Sequence, residues 1–191
     1  MKTSPRAHNH QHSPNRFAVI PTHVRLDADP NFNGKGVTIA LLDSGFYPHA
    51  DLVEPVSRVL AFKDVTGETN SLNSHDMTES WRWHGTQTSV VAAGNGQLSD
   101  GIYKGLASEA QLVLVKVSEN GRISEDNIAR GIEWAIENRE RYNIRVLNIS
   151  LGGDEDVPCS KSIIDQTAEE AISHGMVVVA AAGNSGGDGS H

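Results

Sequence analysis

The sequence predicts an α/β fold: a doubly wound, mostly parallel sheet with helices on both faces. Three observations carry that expectation. Four short segments are nearly continuous in apolar residues, as strands covered on both sides must be. Two amphipathic helical patterns separate the last three of them. Polar residues follow the apolar runs at Asp43, Ser150 and Asn184, beyond the strands' carboxyl ends, where such sheets hold ligands.

The first strand reads Val37-Thr38-Ile39-Ala40-Leu41-Leu42, and its counterparts are Leu112 to Val117, Arg145 to Ser150 and Met176 to Ala181. Glu125 to Tyr142 is expected to be one helix. Ile128, Ile132, Ala135 and Ile136 recur at three- and four-residue spacing, Ser124 caps it, and Glu125 and Asp126 complement its dipole. A second helix is expected from Ser162 to His174, with Ile164, Ala168, Ala171 and Ile172 on one face and Gly175 as its stop. Alternating strands and helices imply right-handed crossovers, which place helices on both faces of the sheet. Residues 1–22 are rich in His, Ser, Pro and Asn and read as a flexible leader outside the domain formed by residues 23–191.

Composition narrows the function. With 191 residues and 38% hydrophobic content the chain can build a core, and a net charge of -8 disfavours general affinity for nucleic acid or an anionic membrane. Cys159 is the single cysteine, so no intrachain disulfide framework exists. No apolar run approaches the roughly 18 to 20 residues that span a bilayer, and the first residues lack a hydrophobic signal core. No export address is legible, and the cytoplasm is the default compartment.

Trp83-His84-Gly85-Thr86 opens a small-residue helix with a histidine, 41 residues after Asp43. An imidazole works as a base when one nitrogen faces the reacting group and a carboxylate holds the other. Asp43 and His84 can fill those roles, and Asn184 can donate to an oxyanion. Taken singly, each has a structural reading as well: a turn former, a helix cap and a residue in a left-handed turn.

Together the surrounding residues resemble the subtilisin-like (subtilase) serine proteases. Asp43-Ser44-Gly45 leading into His49-Ala50-Asp51-Leu52 is similar to the family's aspartate block. His84-Gly85-Thr86 with Val90-Val91-Ala92-Ala93-Gly94 is similar to its histidine block. Ser150-Leu151-Gly152-Gly153 and Ala181-Ala182-Gly183-Asn184 resemble the substrate-binding strand and the oxyanion asparagine. The order of the four blocks is the family's, and the likeness runs from about Gly34 to the end.

That resemblance implies a serine-type endopeptidase in which Asp43 orients His84, His84 deprotonates a serine and Asn184 stabilises the oxyanion. It implies an extended peptide flanked by Gly121-Arg122-Ile123 and Ser150-Leu151-Gly152, with Ala181-Ala182-Gly183 walling a side-chain pocket. No cofactor is required for the chemistry. Calcium enters as a structural ion, with Asp51 matching a carboxylate ligand and the loop from Asn95 to Gly105 as the carbonyl source. Asp154, Glu155 and Asp156 suggest a preference for basic side chains near the cut.

Two features depart from the family. Gln87-Thr88-Ser89 stands where His-Val-Ala is usual, a change expected to alter only the helix's outer face. The family's Gly-Thr-Ser-x-Ala block has no counterpart, and Ser185 and Ser190 lie in a glycine-rich stretch without a nucleophile turn. Residues 23–191 therefore read as an incomplete peptidase domain, inactive alone, whose serine comes from a complementary C-terminal segment. A non-catalytic peptide- or partner-binding scaffold is the alternative. A phosphate-binding α/β module is less well supported, because no glycine-rich turn follows the first strand. An uncovered apolar surface should make the isolated chain self-associate, and a sharp, cooperative melt of a clean monomer contradicts that expectation.

Overall fold

The computed structural model describes residues 19–69, 71–73, 81–152, 158 and 160–184. In chain order the elements are α1 (Thr22–Arg25), β1 (Thr38–Asp43), α2 (Ala50–Val53), β2 (Val59–Asp64), α3 (Arg82–Ala93), a 3-10 turn (Gln97–Ser99), β3 (Gln111–Lys116), β4 (Ser118–Glu119), β5 (Arg122–Ile123), α4 (Glu125–Glu137), α5 (Arg139–Tyr142), β6 (Ile144–Ile149), α6 (Ile163–Ser173) and β7 (Val177–Ala180). Five strands form one sheet in the order β2-β3-β1-β6-β7, and every pairing in it is parallel. From β1 the chain passes to one edge as β2, returns as β3 to fill the place between them, and then crosses β1 to add β6 and β7 on the other side. Crossovers thus run to opposite sides of β1, the point where α/β sheets open a crevice.

Alternation along β1 divides the core. Leu41 joins Phe46, Leu52, Ala93, Leu112 and Leu114 beneath α2 and α3. Ala40 and Leu42 join Val113, Val115, Ile128, Ile132 and Leu147 beneath α4 and α6. The four expected strands are thus all present, and helices cover both faces. At the sheet's β7 edge Val177 and Val179 are exposed, as is Ile172 of α6.

The helices differ in detail from the expected ones. The Ser124 hydroxyl accepts from the Asn127 amide at 3.2 Å, a cap that starts α4 at Glu125. The expected single helix to Tyr142 is instead interrupted at Asn138, whose side chain donates to the Trp134 carbonyl at 2.9 Å before α5 begins. The Asn138 amide N–H donates to the same carbonyl at 3.1 Å, so backbone and side chain together close the last turn of α4. Ser162 caps α6 by accepting from Asp165 N at 3.1 Å, and Gly175 at φ +81° ends that turn as expected.

The β2 strand and the β4–β5 hairpin are among the elements that were not anticipated. β2 pairs only with β3, so its six residues are mostly half-buried and lack the continuous apolar run of an inner strand. β4 and β5 form a two-stranded hairpin whose turn residues Asn120 (φ 48°) and Gly121 (φ 76°) are both left-handed, the tightest turn compatible with strand twist.

Lys116 closes the carboxyl edge beside β1, its side chain only 4% exposed. The ammonium donates to Asp64 Oδ2 at 3.1 Å and Glu68 Oε2 at 2.6 Å, tying the end of β2 to β3. Burial works against the Asp64 carboxylate, but the Thr66 hydroxyl and amide together with Lys116 outweigh it and lower its pKa. The Lys116 hydrogen bond likewise lowers that of Glu68.

Two outcomes follow for stability. Lys116→Met should cost about 3 to 5 kcal/mol at neutral pH, because it leaves the Asp64 charge buried and unpaired. Both carboxylates have native pKa values below their unfolded ones, so the contribution is present above the ordinary carboxylate range and lost as pH falls through the lowered values. The gap between wild type and variant in urea unfolding should narrow accordingly in acid; a constant gap contradicts the assignment. Gly85→Ala should also destabilise by about 1 to 3 kcal/mol, whereas Gly152→Ala should be close to neutral. A methyl on Gly85 would lie 2.3 Å from the Gly45 carbonyl oxygen, and one on Gly152 would meet nothing within 4 Å among the described residues.

Candidate active site

Asp43 is the last residue of β1 and its side chain is 1% exposed. A carboxylate so buried needs several donors. Its Oδ1 accepts from the Ser44 amide at 2.7 Å, and Thr88 Oγ1 lies 3.2 Å from Oδ2. The remaining partner is His84, whose Nδ1 lies 2.9 Å from Oδ1 and 3.0 Å from Oδ2.

His84 belongs to the first turns of α3, the helix that lies directly on the end of β1. Contact this close requires Gly85, since any side chain there would enter the space of Gly45, Asp43 and Phe46. The Thr86 hydroxyl keeps the helix in place by accepting from Tyr47 N at 2.9 Å, while Ser89, fully buried, donates within the helix to the Gly85 carbonyl at 2.6 Å. With Nδ1 facing a carboxylate, its proton is placed there by the acceptor, and Nε2 carries the lone pair. The imidazole is 43% exposed, and among the described residues no hydroxyl hydrogen-bonds to it. This is the geometry of a base with one nitrogen anchored and the other open to a reacting group.

Several of these partners were not visible in the sequence reading. Thr88 and Ser89 do not alter an outer face, as expected of Gln87-Thr88-Ser89; only Gln87 is exposed, while Thr88 reaches Asp43 and Ser89 is buried. Trp83 is 54% exposed and stands edge-on to the His84 ring, with centroids 5.7 Å apart and planes at 75°. Trp81 packs its six-membered ring on Gly121, where a Cβ would come within 3.0 Å of it. The segment leading into α3 thus joins the β4–β5 hairpin to the histidine.

The other candidate residues lie along the same carboxyl edge. Gly121 sits in the hairpin turn, and Arg122 and Ile123 form exposed β5. Ser150 N donates to the Leu42 carbonyl at 3.3 Å just past β6, and Ser150 Oγ accepts from Asn148 Nδ2 at 2.6 Å. Leu151 packs onto the α4–α6 core, and Gly152 is exposed. Leu151, Gly152, Ala180 and Ala181 line a cavity of about 230 Å³ with Glu125 and Asp165. Ala181 N donates to the Ile149 carbonyl at 3.0 Å, Ala182 and Gly183 follow, and Asn184 lies exposed past β7, two strands across the sheet from Asp43. Asp154, Glu155 and Asp156, expected to face basic side chains, lie outside the described residues, as do Ser185 and Ser190.

Asp51 is buried at 5% exposure in α2. Its carboxylate Oδ1 accepts from Leu98 N at 2.9 Å, and its carbonyl accepts from Asn95 N at 3.0 Å. The following loop therefore offers Asp51 amide donors, whereas calcium needs six to eight oxygens turned inward. The residues present do not fit a calcium ion there, and among the described residues no three His, Cys, Asp or Glu side chains gather as a metal site.

The chain is similar to known proteases in sequence and in fold. The subtilase family model matches residues 34–191. Serine protease AprX of Bacillus subtilis (strain 168) is 37% identical over 166 residues, covering 81% of this chain and 34% of that protein. The major intracellular serine protease of the same organism is 34% identical over 156 residues, covering 80% and 44%. Among solved structures, the S41 psychrophilic protease superposes with a TM-score of 0.65 at 32% identity, covering 82% of this chain and 48% of that one. The chain thus spans about a third to a half of the length of these relatives. No helix among the described residues is long and apolar enough to cross a membrane. With 158 of its 191 residues matched, from 34 to 191, and an aspartate-anchored histidine at the reversal of its sheet, the chain belongs to the subtilase family of serine proteases.

Proposed function

We propose that this chain supplies three parts of an endopeptidase site: Asp43 as the residue that fixes the histidine, His84 as the general base and Asn184 as the oxyanion donor. The observation that carries this reading is the contact of His84 Nδ1 with both carboxylate oxygens of Asp43, which leaves Nε2 open. The nucleophilic serine comes from a complementary C-terminal segment, and these 191 residues alone do not hydrolyse peptides. Gly121, Arg122 and Ile123 on one side and Ser150, Leu151 and Gly152 on the other pair with an extended peptide or protein substrate. Ala181, Ala182 and Gly183 wall the pocket for one of its side chains.

The division of labour is physical. Asp43 holds the imidazole in the tautomer that can accept a proton from the serine; it then stabilises the imidazolium that results. Charge building on the scissile carbonyl oxygen is met by an amide donor already in place, so no reorganisation is needed as the tetrahedral intermediate forms. The imidazolium returns its proton to the leaving amine, and water repeats the cycle on the acyl group.

Joined to a segment bearing the serine, the polypeptide should cleave casein and short peptides. His84→Ala should then lower kcat by about 10⁶-fold and Asp43→Asn by about 10⁴-fold, magnitudes borrowed from serine proteases including subtilisin itself. Asn184→Ala should lower it by about 10² to 10³-fold with KM little changed, again by the subtilisin precedent. Cleavage by the 191-residue chain alone, inhibited by serine-directed reagents, contradicts the reading. Binding of extended peptides without turnover in the joined polypeptide supports a non-catalytic scaffold instead.

A further inference from the structure

The 95–105 loop has to be fastened to α2 by something, because it leaves α3 at Gly94 without a continuing helical ladder. Three oxygens of the α2 region face it, and each is engaged by nitrogen. Asp51 Oδ1 accepts from Leu98 N at 2.9 Å, the Asp51 carbonyl from Asn95 N at 3.0 Å and Arg58 Nη2 at 2.6 Å, and the Glu54 carbonyl from Asn95 Nδ2 at 2.7 Å. Arg58 Nη1 reaches in the other direction, to the Ala110 carbonyl at 2.9 Å beside the start of β3. One planar guanidinium therefore bridges α2 and the strand that β1 pairs with.

Charge at this junction is balanced by the same side chain. Burial lowers the pKa of Arg58 and the facing Asp51 raises it, yet a guanidinium remains protonated throughout the working range of a protein. A cation fixed by two carbonyls and facing a buried carboxylate is what a structural calcium ion would otherwise provide. Four N–H donors already point at these oxygens, and a calcium ion would have to displace them to gather its six to eight oxygen ligands.

We propose that the Asn95 and Leu98 N–H groups, with Arg58 on the shared Asp51 carbonyl, take the place of a calcium ion at this junction, so that the 95–105 loop is held to α2 without a divalent metal. This junction involves the α2 region and the loop alone and is independent of the roles given to Asp43, His84 and Asn184.

Thermal unfolding of the 191-residue chain in excess EDTA and in millimolar calcium chloride is the test. The midpoint should be the same in both within about 1 °C, since a bound ion would raise it by mass action. Arg58→Met should lower the midpoint by roughly 5 to 10 °C, and calcium should not restore it. A wild-type midpoint that rises with calcium overturns the proposal, as does an Arg58→Met chain that melts like the wild type. Where Arg58→Met does not fold, hydrogen exchange of the wild-type chain decides. Slow exchange of the Asn95 and Leu98 amides in EDTA supports the proposal, and fast exchange that calcium slows overturns it.

Discussion

The closeness with which α3 lies on the end of β1 governs the carboxyl edge of this molecule. Gly85 allows the helix backbone to approach the Gly45 carbonyl and the Asp43 side chain closer than any other residue could. That approach brings the His84 ring onto the carboxylate and brings Thr88, one turn later, onto its second oxygen. A shift of an ångström would lengthen all three contacts together. The carboxylate would then be buried with too few donors, a state far costlier than the loss of one hydrogen bond.

Two neighbouring clusters keep this contact from drifting. On one side the hydroxyl of Ser118 donates to the Ser44 carbonyl, and Lys116 binds the end of β2 to the strand paired with β1. On the other, Arg58 and the 95–105 loop fasten the far end of α3 to α2 and to the start of β3. Burying the Lys116 ammonium this way is favourable only because it meets opposite charges and a carbonyl. The scaffold thus spends its polar groups at the two ends of α3 and leaves the sheet interior apolar.

The inner strands were legible in the sequence because each is apolar on both faces, and the two long helices because their periodicity and serine caps agree. β2 escaped notice because an edge strand with one neighbour is only partly buried and lacks that continuous run. The hairpin could have been found: Asn120-Gly121 between short extended segments is its usual signal. Asp43 and His84 were readable from their block context, and the structure brings their side chains together. Trp81, Trp83, Thr88, Lys116 and Arg58 were not, since contacts to Gly121, His84, Asp43, Asp64 and the Asp51 carbonyl are spatial facts with no pattern along the chain. Asp51 was read as a metal ligand from its block alone, and only the direction of the loop amides shows what meets its oxygens.

The order of strands also sets a timetable. β1 is the first strand of the sheet to be synthesised, yet its partners are β3, with Thr38 opposite Gln111, and β6, with Thr38 opposite Ile144. At ribosomal speeds of about 5 to 20 residues per second, roughly 70 further residues take several seconds, during which six apolar-rich residues have no ladder to join. Pairings this distant also fold slowly, because loop-closure entropy is lost before any contact compensates it. The aspartate that anchors the histidine therefore ends the strand that waits longest for its neighbours, and chaperone capture of the nascent chain should centre on that strand.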